Sequence, residues 1–286
     1  MAKIIDGKTI SQQIKDEVKA RVEQLTKTGR PPALAVVLVG DDPASHVYVG
    51  SKKKACEYTG IKSLIYEMPG DVSQEALNEL IDSLNQSDEV DGILVQFPLP
   101  AHLSEEEVIL RVSAEKDVDC FNPYNVGLLY SGTPRFLPCT PAGVIELLKR
   151  SGIEIAGKQC VVIGRSNLAG KPCAQLLLAE NGTVTVCHSK TENLAKITSQ
   201  ADILVAAIGK KRFVGPDMIK EGAAVIDIGI HRLGGKKICG DVDYDACFEK
   251  AGAITPTPGG TGVMTVAVLM QNCLKAYEYR SENQKQ

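Results

Sequence analysis

The sequence predicts an α/β protein in two domains, and three observations carry that prediction. Short apolar runs suited to strands alternate with helical stretches along the chain, the pattern of a parallel sheet covered on both faces. A stretch dense in proline and glycine, Asp117–Cys139, interrupts the alternation near the middle. After it, an apolar run enters a glycine turn and then a helix, the arrangement of a Rossmann-like unit. With 286 residues the chain is long enough for two domains of ordinary size. The first is expected to cover residues 1–120 and the second residues 121–286, with the final helix, within 265–286, packing back onto the first.

In chain order, helices are expected at Ile10–Lys27, Pro43–Thr59, Gln74–Gln86 and Glu105–Val112. The strands among them are Leu34–Val39, Leu64–Tyr66 and Gly92–Val95. The helix Ala142–Ser151 opens the second series. Its strands are Cys160–Ile163, Thr183–Cys187, Ile203–Ala207, Ala224–Asp227 and a short Ala253–Thr255. A helix at Cys173–Ala179 follows the glycine turn, and Thr265–Arg280 closes the fold. The tail Ser281–Gln286 is expected to fray.

Composition excludes several classes. A formal charge of -3 leaves no nucleic-acid or anionic-membrane footprint. There is no tryptophan and only five phenylalanines, so a base-stacking platform is not expected. No secretion signal opens the chain, and no apolar run approaches the roughly 20 residues that span a bilayer. Nine scattered cysteines without a C-x-x-C pair read as reduced, structural thiols in a cytoplasmic protein. Four scattered histidines give no zinc-binding spacing.

Lys52 is the first catalytic candidate. Asp42 and Pro43 start its helix and Gly60 stops it. Ser45, Tyr48 and Lys52 fall at i, i+3 and i+7 and share a face. Ala44, Val47, Ala55 and Tyr58 are expected to mark the core side, with Lys52 at its border. An amine beside an aromatic ring at the edge of a core is partly desolvated, which lowers its pKa toward the range useful for proton transfer. The bland alternative is a solvated basic run, Lys52-Lys53-Lys54; it suits Lys53 and Lys54, which leave the helix on other faces.

The strand Gly92–Val95 runs into Gln96-Phe97-Pro98-Leu99-Pro100. Carboxyl ends of parallel strands line ligand crevices. Gln96 there is expected to hydrogen-bond the Lys52 amine and bias it toward the neutral form; otherwise it is an ordinary strand-end amide. In Lys116-Asp117-Val118-Asp119-Cys120, a carboxylate could hold an amino-pterin-like ring by paired hydrogen bonds. A solvated linker acid is the alternative, and spacing does not separate Asp117 from Asp119. The run Thr255–Thr265 contains two prolines and three glycines before a helix, which lets a ligand approach the backbone closely.

The run Cys160–Ile163 enters Gly164-Arg165-Ser166-Asn167-Leu168-Ala169-Gly170. Amides and the helix dipole there can cradle a pyrophosphate, although a tight turn alone would also use glycine. NAD enzymes place a carboxylate roughly 20 residues further on for the ribose. Here His188-Ser189-Lys190 stands instead. A hydroxyl and a cation, with Arg165, suit a 2′-phosphate, which argues for NADP; a merely polar strand end is the alternative. ATP hydrolysis is disfavoured, because Gly152–Lys158 has the Walker spacing but is followed by Gln159 and precedes a strand.

Taken together, Tyr48-x-x-x-Lys52, Gly92–Pro100, Lys116–Asp119, Pro138-Cys-Thr-Pro141, Gly164-Arg-Ser166, Asp227-Ile-Gly-Ile230, Pro258-Gly-Gly260 and Gly262 run nearly end to end. In these segments the chain resembles the bacterial bifunctional methylenetetrahydrofolate dehydrogenase/methenyltetrahydrofolate cyclohydrolase family. The resemblance implies a folate cleft between a catalytic domain and an NADP-binding domain. It implies Lys52 as general acid/base, Gln96 as its tuner, Tyr48 as a ring stacking on folate, and Asp119 as the pterin anchor. Pro258 and Gly262 would shape the folate wall, and Gly164, Arg165, Ser166, Ser189 and Ile230 would contact NADP. It also implies a cytoplasmic homodimer, formed through the second domain, that acts in one-carbon metabolism and purine biosynthesis. Cys120 stands where the family commonly has glycine and Ala169 where valine is frequent. Thr257, Thr261 and Val263 stand where Val, Val and Pro are usual. The rival enzyme is a shikimate-dehydrogenase-like NADP oxidoreductase; a nucleotide-sensing protein would need an ordinary, exposed Lys52.

Overall fold

The computed structural model describes residues 1–235 and 237–283. Along the chain come Lys3–Ile4 (β1), Gly7–Leu25 (α1), Ala33–Val39 (β2), Pro43–Thr59 (α2), Lys62–Met68 (β3), Gln74–Gln86 (α3), Gly92–Val95 (β4), Glu105–Arg111 (α4) and Pro123–Tyr130 (α5). Then follow Cys139–Arg150 (α6), Gln159–Ile163 (β5), Gly170–Ala179 (α7), Thr183–Cys187 (β6), Leu194–Thr198 (α8), Ile203–Ala206 (β7) and Ala224–Asp227 (β8). The chain ends with His231–Gly234 (β9), Lys237–Cys239 (β10), Tyr244–Cys247 (α9), Ala253–Ile254 (β11) and Thr261–Asn283 (α10). Residues 284–286 of the expected frayed tail lie outside the described residues.

The chain forms two compact units of α/β architecture. Residues 13–137 with the chain from Val266 onward make the lysine unit; residues 1–12 and 138–265 make the glycine-turn unit. Two of the boundaries fall inside α1 and α10, and the third, between Leu137 and Pro138, falls between α5 and α6.

In the lysine unit three parallel strands are ordered β3-β2-β4. The central strand reads Ala-Leu-Ala-Val-Val-Leu-Val, and every one of its residues is buried. Its apolar side chains leave both faces because both are covered. Val37, Leu77, Ile81, Ile93 and Val95 belong to one core beneath α3. In the glycine-turn unit six parallel strands are ordered β1-β11-β8-β7-β5-β6. Val161, Leu204, Val225 and Ile254 fill one side of that sheet. A separate antiparallel hairpin joins β9 and β10.

Helix α2 starts and stops on its cap residues. The Asp42 carboxylate accepts from the Ser45 amide at 2.8 Å, and Gly60 ends the helix in the left-handed region at φ 79°. The buried face differs from the expected one. Ser45, Val49, Lys52, Ala55, Cys56 and Thr59 face inward, whereas Val47 is 63% exposed and Tyr58 is also exposed. The helix carries two thin apolar stripes, and the packing surface rather than hydrophobicity selects between them. Lys52 thus lies within the buried stripe, while Lys53 and Lys54 are exposed.

The expected loop Asp117–Cys139 contains α5. Asn122 caps it by accepting from the Tyr124 amide, and Pro123 occupies its first turn. Gly127 in mid-helix hid this signal, since glycine disfavours a helix interior. Strand β1 and the hairpin were also illegible: both are short and largely polar, and β1 is specified by a pairing partner distant in sequence.

Candidate active site

The end of β4 meets α2 inside the lysine unit. The Gln96 amide hydrogen-bonds the Val37 carbonyl at 2.8 Å, which extends the strand by one residue and fixes where the Gln96 side chain leaves it. The Lys52 amine, on a residue only 9% exposed, donates to Gln96 Oε1 at 2.8 Å. Gln96 Nε2 donates to the Phe97 carbonyl at 2.6 Å. Gln96 therefore presents its acceptor to Lys52 while its donor is engaged elsewhere. An acceptor serves an ammonium as readily as an amine. The geometry makes Gln96 an orienting partner for the Lys52 amine. Tyr48, one helical turn before Lys52, is 44% exposed, so its ring is available to a ligand.

The segment after Lys116 lies alongside β4 through the Ile93 amide, which donates to the Lys116 carbonyl at 2.7 Å. Geometry separates the two aspartates that spacing left equivalent. The Asp117 carboxylate is buried and accepts from the Phe121 and Asn122 amides and from Asn125 Nδ2. It is committed to shaping its own turn. Burial nevertheless pushes it above the usual carboxylate range, against these donors. Asp119 is half-buried and shares a small cavity with Phe97 and Phe121, whose rings lie 6.2 Å apart. Cys120 follows at φ 62°, the left-handed region that favours glycine. Its thiol is buried, donates to the Phe136 carbonyl, and is pushed up to about 12 by desolvation. The Phe97–Pro98 and Thr257–Pro258 peptides are cis.

In the glycine-turn unit the strand–turn–helix is built by contact. Gly164 has φ 130°, and a Cβ there would stand 2.1 Å from the Ala207 carbonyl oxygen. A Cβ on Gly170 would stand 2.3 Å from the Gly164 oxygen. Ser166 Oγ accepts from the Ala169 and Gly170 amides, capping α7. A cleft of about 260 Å3 opens here, lined by Gly164, Arg165, Ser166 and Ser189 on one side and by Ile208 and Lys210 on the other. Its lining holds two cations, Arg165 and Lys210, and no carboxylate. A close backbone approach with positive charge and an exposed hydroxyl suits a dinucleotide bearing an extra phosphate; a bare ribose would call for the missing carboxylate. The residues therefore fit NADP.

Ile230 is not among the residues lining that cleft. It stands against Gly262 instead, where a Cβ would meet Ile230 Cδ1 at 3.1 Å. Pro258 and Gly262 are both exposed on the loop before and at the start of α10. Thr261, one of the departures, is buried with its hydroxyl donating to the Asp227 carbonyl at 2.7 Å. Asp227 is pushed up to about 6 by burial, although three backbone amides hold its carboxylate. Sequence reasoning missed the opposite wall of the cleft, Ala207–Lys210, and beside it the buried Asp241 and the half-buried His231. Their only sequence signal is a pair of glycines, Gly229 and Gly240, each near an aspartate. Among the described residues no group of His, Cys, Asp and Glu could hold a metal ion, and no helix is long and apolar enough to cross a membrane.

The fold and the two residue sets define a two-domain α/β protein with a dinucleotide-binding unit. Family comparison is specific. The family model described as tetrahydrofolate dehydrogenase/cyclohydrolase, catalytic domain, matches residues 5–119. That of the NAD(P)-binding domain of the same family matches residues 138–281. The chain belongs to the tetrahydrofolate dehydrogenase/cyclohydrolase family. It is 60% identical over 274 residues to "Bifunctional protein FolD" of Lachnoclostridium phytofermentans, covering 96% of this chain and 97% of that protein. The crystal structure of the bifunctional methylenetetrahydrofolate dehydrogenase/cyclohydrolase FolD from Campylobacter jejuni superposes with a TM-score of 0.95 at 47% identity, covering 98% of this chain and 100% of that one. The Trypanosoma brucei methylenetetrahydrofolate dehydrogenase-cyclohydrolase, complexed with NADP cofactor and inhibitor, gives 0.93 at 39% identity and 98% coverage of each chain. Shikimate dehydrogenase from Aquifex aeolicus, at 15% identity and a TM-score of 0.52, covers 86% of this chain and 91% of its own and shares the fold alone.

Proposed function

We propose that this chain oxidises 5,10-methylenetetrahydrofolate to 5,10-methenyltetrahydrofolate with NADP and hydrolyses that product to 10-formyltetrahydrofolate. Family membership supports both activities, and the observation that carries the chemistry is the buried Lys52 amine held by Gln96 at 2.8 Å. NADP, held by Gly164, Arg165, Ser166 and Ser189, supplies the hydride acceptor when bound. Oxidation of the methylene carbon needs chiefly orientation. Tyr48 stacks on the folate and Asp119 anchors the pterin, while Ile230 adds a contact to NADP.

Hydrolysis needs proton transfer. Water adds to the methenyl carbon and gives up a proton; a ring carbon–nitrogen bond then breaks and its nitrogen takes one up. Lys52 is the group placed to carry that proton, with Gln96 fixing the direction of its Nζ. A cytoplasmic homodimer that supplies formyl groups to purine biosynthesis fits this reading, and the nine buried free thiols fit a reducing compartment.

The test offers methylenetetrahydrofolate with NADP or NAD and follows reduced cofactor and methenyl product. NADP reduction in preference to NAD is the expected result. Absence of turnover, or oxidation of shikimate in a parallel assay, sinks the proposal.

A further inference from the structure

The far wall of the dinucleotide cleft is set by a side chain that does not reach the cleft. Asp241 is fully buried, and four donors converge on its carboxylate. Oδ2 accepts from the Ile208 and Gly209 amides at 2.8 and 3.0 Å. Oδ1 accepts from the Lys210 amide at 2.9 Å and from His231 Nε2 at 2.8 Å. A carboxylate only accepts, so that ring nitrogen carries its hydrogen. Three successive amides turned toward one anion form a nest, filled here by the protein's own carboxylate. Asp241 is placed in turn by Asp227, which accepts the Asp241 and Val242 amides at 2.9 Å each. Glycines make room: a Cβ on Gly229 would stand 2.4 Å from Asp241 Cγ, and one on Gly240 would stand 1.8 Å from Asp227 Oδ2.

The order of these contacts matters. Ile208 and Lys210 line the cleft with Arg165 and Ser189, and both have their backbone amides committed to Asp241. Without the carboxylate, three successive backbone amides lose their acceptor and the loop must turn to find others. The lining side chains would move with it. His231 adds the one donor that comes from a side chain.

We propose that Asp241, oriented by His231, is a positioning residue for the dinucleotide: it acts through the Ile208–Lys210 backbone to hold that wall of the cleft in binding geometry. The inference rests on reading this cleft as the NADP site. The Lys52–Gln96 pair belongs to the other compact unit, so the hydrolytic activity reports separately on whether a variant is merely damaged.

The test uses the full chain and three variants, Asp241→Asn, His231→Leu and His231→Gln. NADP binding is measured by calorimetry, and cyclohydrolase turnover is measured on methenyltetrahydrofolate without NADP. Asp241→Asn is expected to weaken NADP binding at least about tenfold, roughly 1.4 kcal/mol, with hydrolytic turnover within about twofold of the parent. His231→Leu is expected to weaken binding about threefold, and His231→Gln, which keeps a donor, to restore most of it. NADP affinity unchanged in Asp241→Asn overturns the proposal, as does a parallel fall of binding and hydrolysis. If Asp241→Asn does not fold, the histidine pair decides: equal affinities in Leu and Gln variants overturn the assignment. A parent protein that binds NADP but does not oxidise methylenetetrahydrofolate sinks the proposed activity while the binding comparison still stands. A parent that binds no NADP overturns both.

Discussion

The lysine unit and the glycine-turn unit reach a working surface by opposite means. In the first, side chains hold one another: Lys52 on Gln96, and Gln96 on the Phe97 carbonyl. In the second, the backbone shapes the cleft, and glycines permit its close approach. Gly164 lies against Ala207 and Gly170 against Gly164, while a buried carboxylate gathers the facing amides. The difference teaches where each site is fragile. The lysine site is expected to lose its chemistry with one functional group and keep its shape. The glycine site is expected to lose its shape with one methyl group.

Lys52→Met is the sharpest test of that contrast and carries the largest expected effect. Methionine keeps the unbranched stem and removes the proton carrier. Cyclohydrolase turnover is expected to fall by about a thousandfold, within the range of general acid/base contributions, while NADP binding by calorimetry stays at the parent value. Undiminished hydrolysis would remove Lys52 from its assigned role; lost NADP binding would erase the distinction between the regions.

Gly164→Ala probes the opposite region with a smaller change. The new methyl group would meet the Ala207 carbonyl, and φ 130° is strained for any residue with a Cβ. NADP affinity is expected to drop at least about tenfold while hydrolysis without NADP persists. An alanine variant that binds NADP normally would show that backbone proximity is not what this region depends on.

The smallest effect concerns Cys120, a non-glycine residue at a place where the lysine unit uses the backbone device of its neighbour. Its φ of 62° suits glycine, yet a buried cysteine stands there. Alanine removes the thiol and keeps the strain; glycine removes both. By chemical denaturation Cys120→Gly is expected to be more stable than Cys120→Ala by about 1 kcal/mol. The reverse order would mean that the left-handed conformation costs little there.

Much of this was legible from local signals. The parallel strands announced themselves as continuous apolar runs, and α2 by Asp42, Pro43 and Gly60. Lys52 was separable from Lys53 and Lys54 by helical phase. Its burial was placed on the wrong stripe, however, because Val47 and Tyr58 look like core residues until the packing surface is known. Asp117 and Asp119 were indistinguishable for a related reason: both are acids at a strand edge, and only the convergence of Asn125 and two amides on Asp117 commits it to its own turn. Helix α5 was hidden by one glycine.

What the sequence by itself determined is the set of elements and the chemical groups at their ends: two α/β units, a lysine on a helix, an amide after a strand, a glycine turn without a following carboxylate. These follow from periodicity, capping and residue type, which act over a few neighbouring positions. The tertiary structure alone decided which stripe of α2 is buried, which aspartate is committed to structure, and that Asp241 gathers amides 31 to 33 residues before it. Hydrogen bonds between distant segments depend on where the sheet brings their ends, and nothing in the local sequence encodes that meeting.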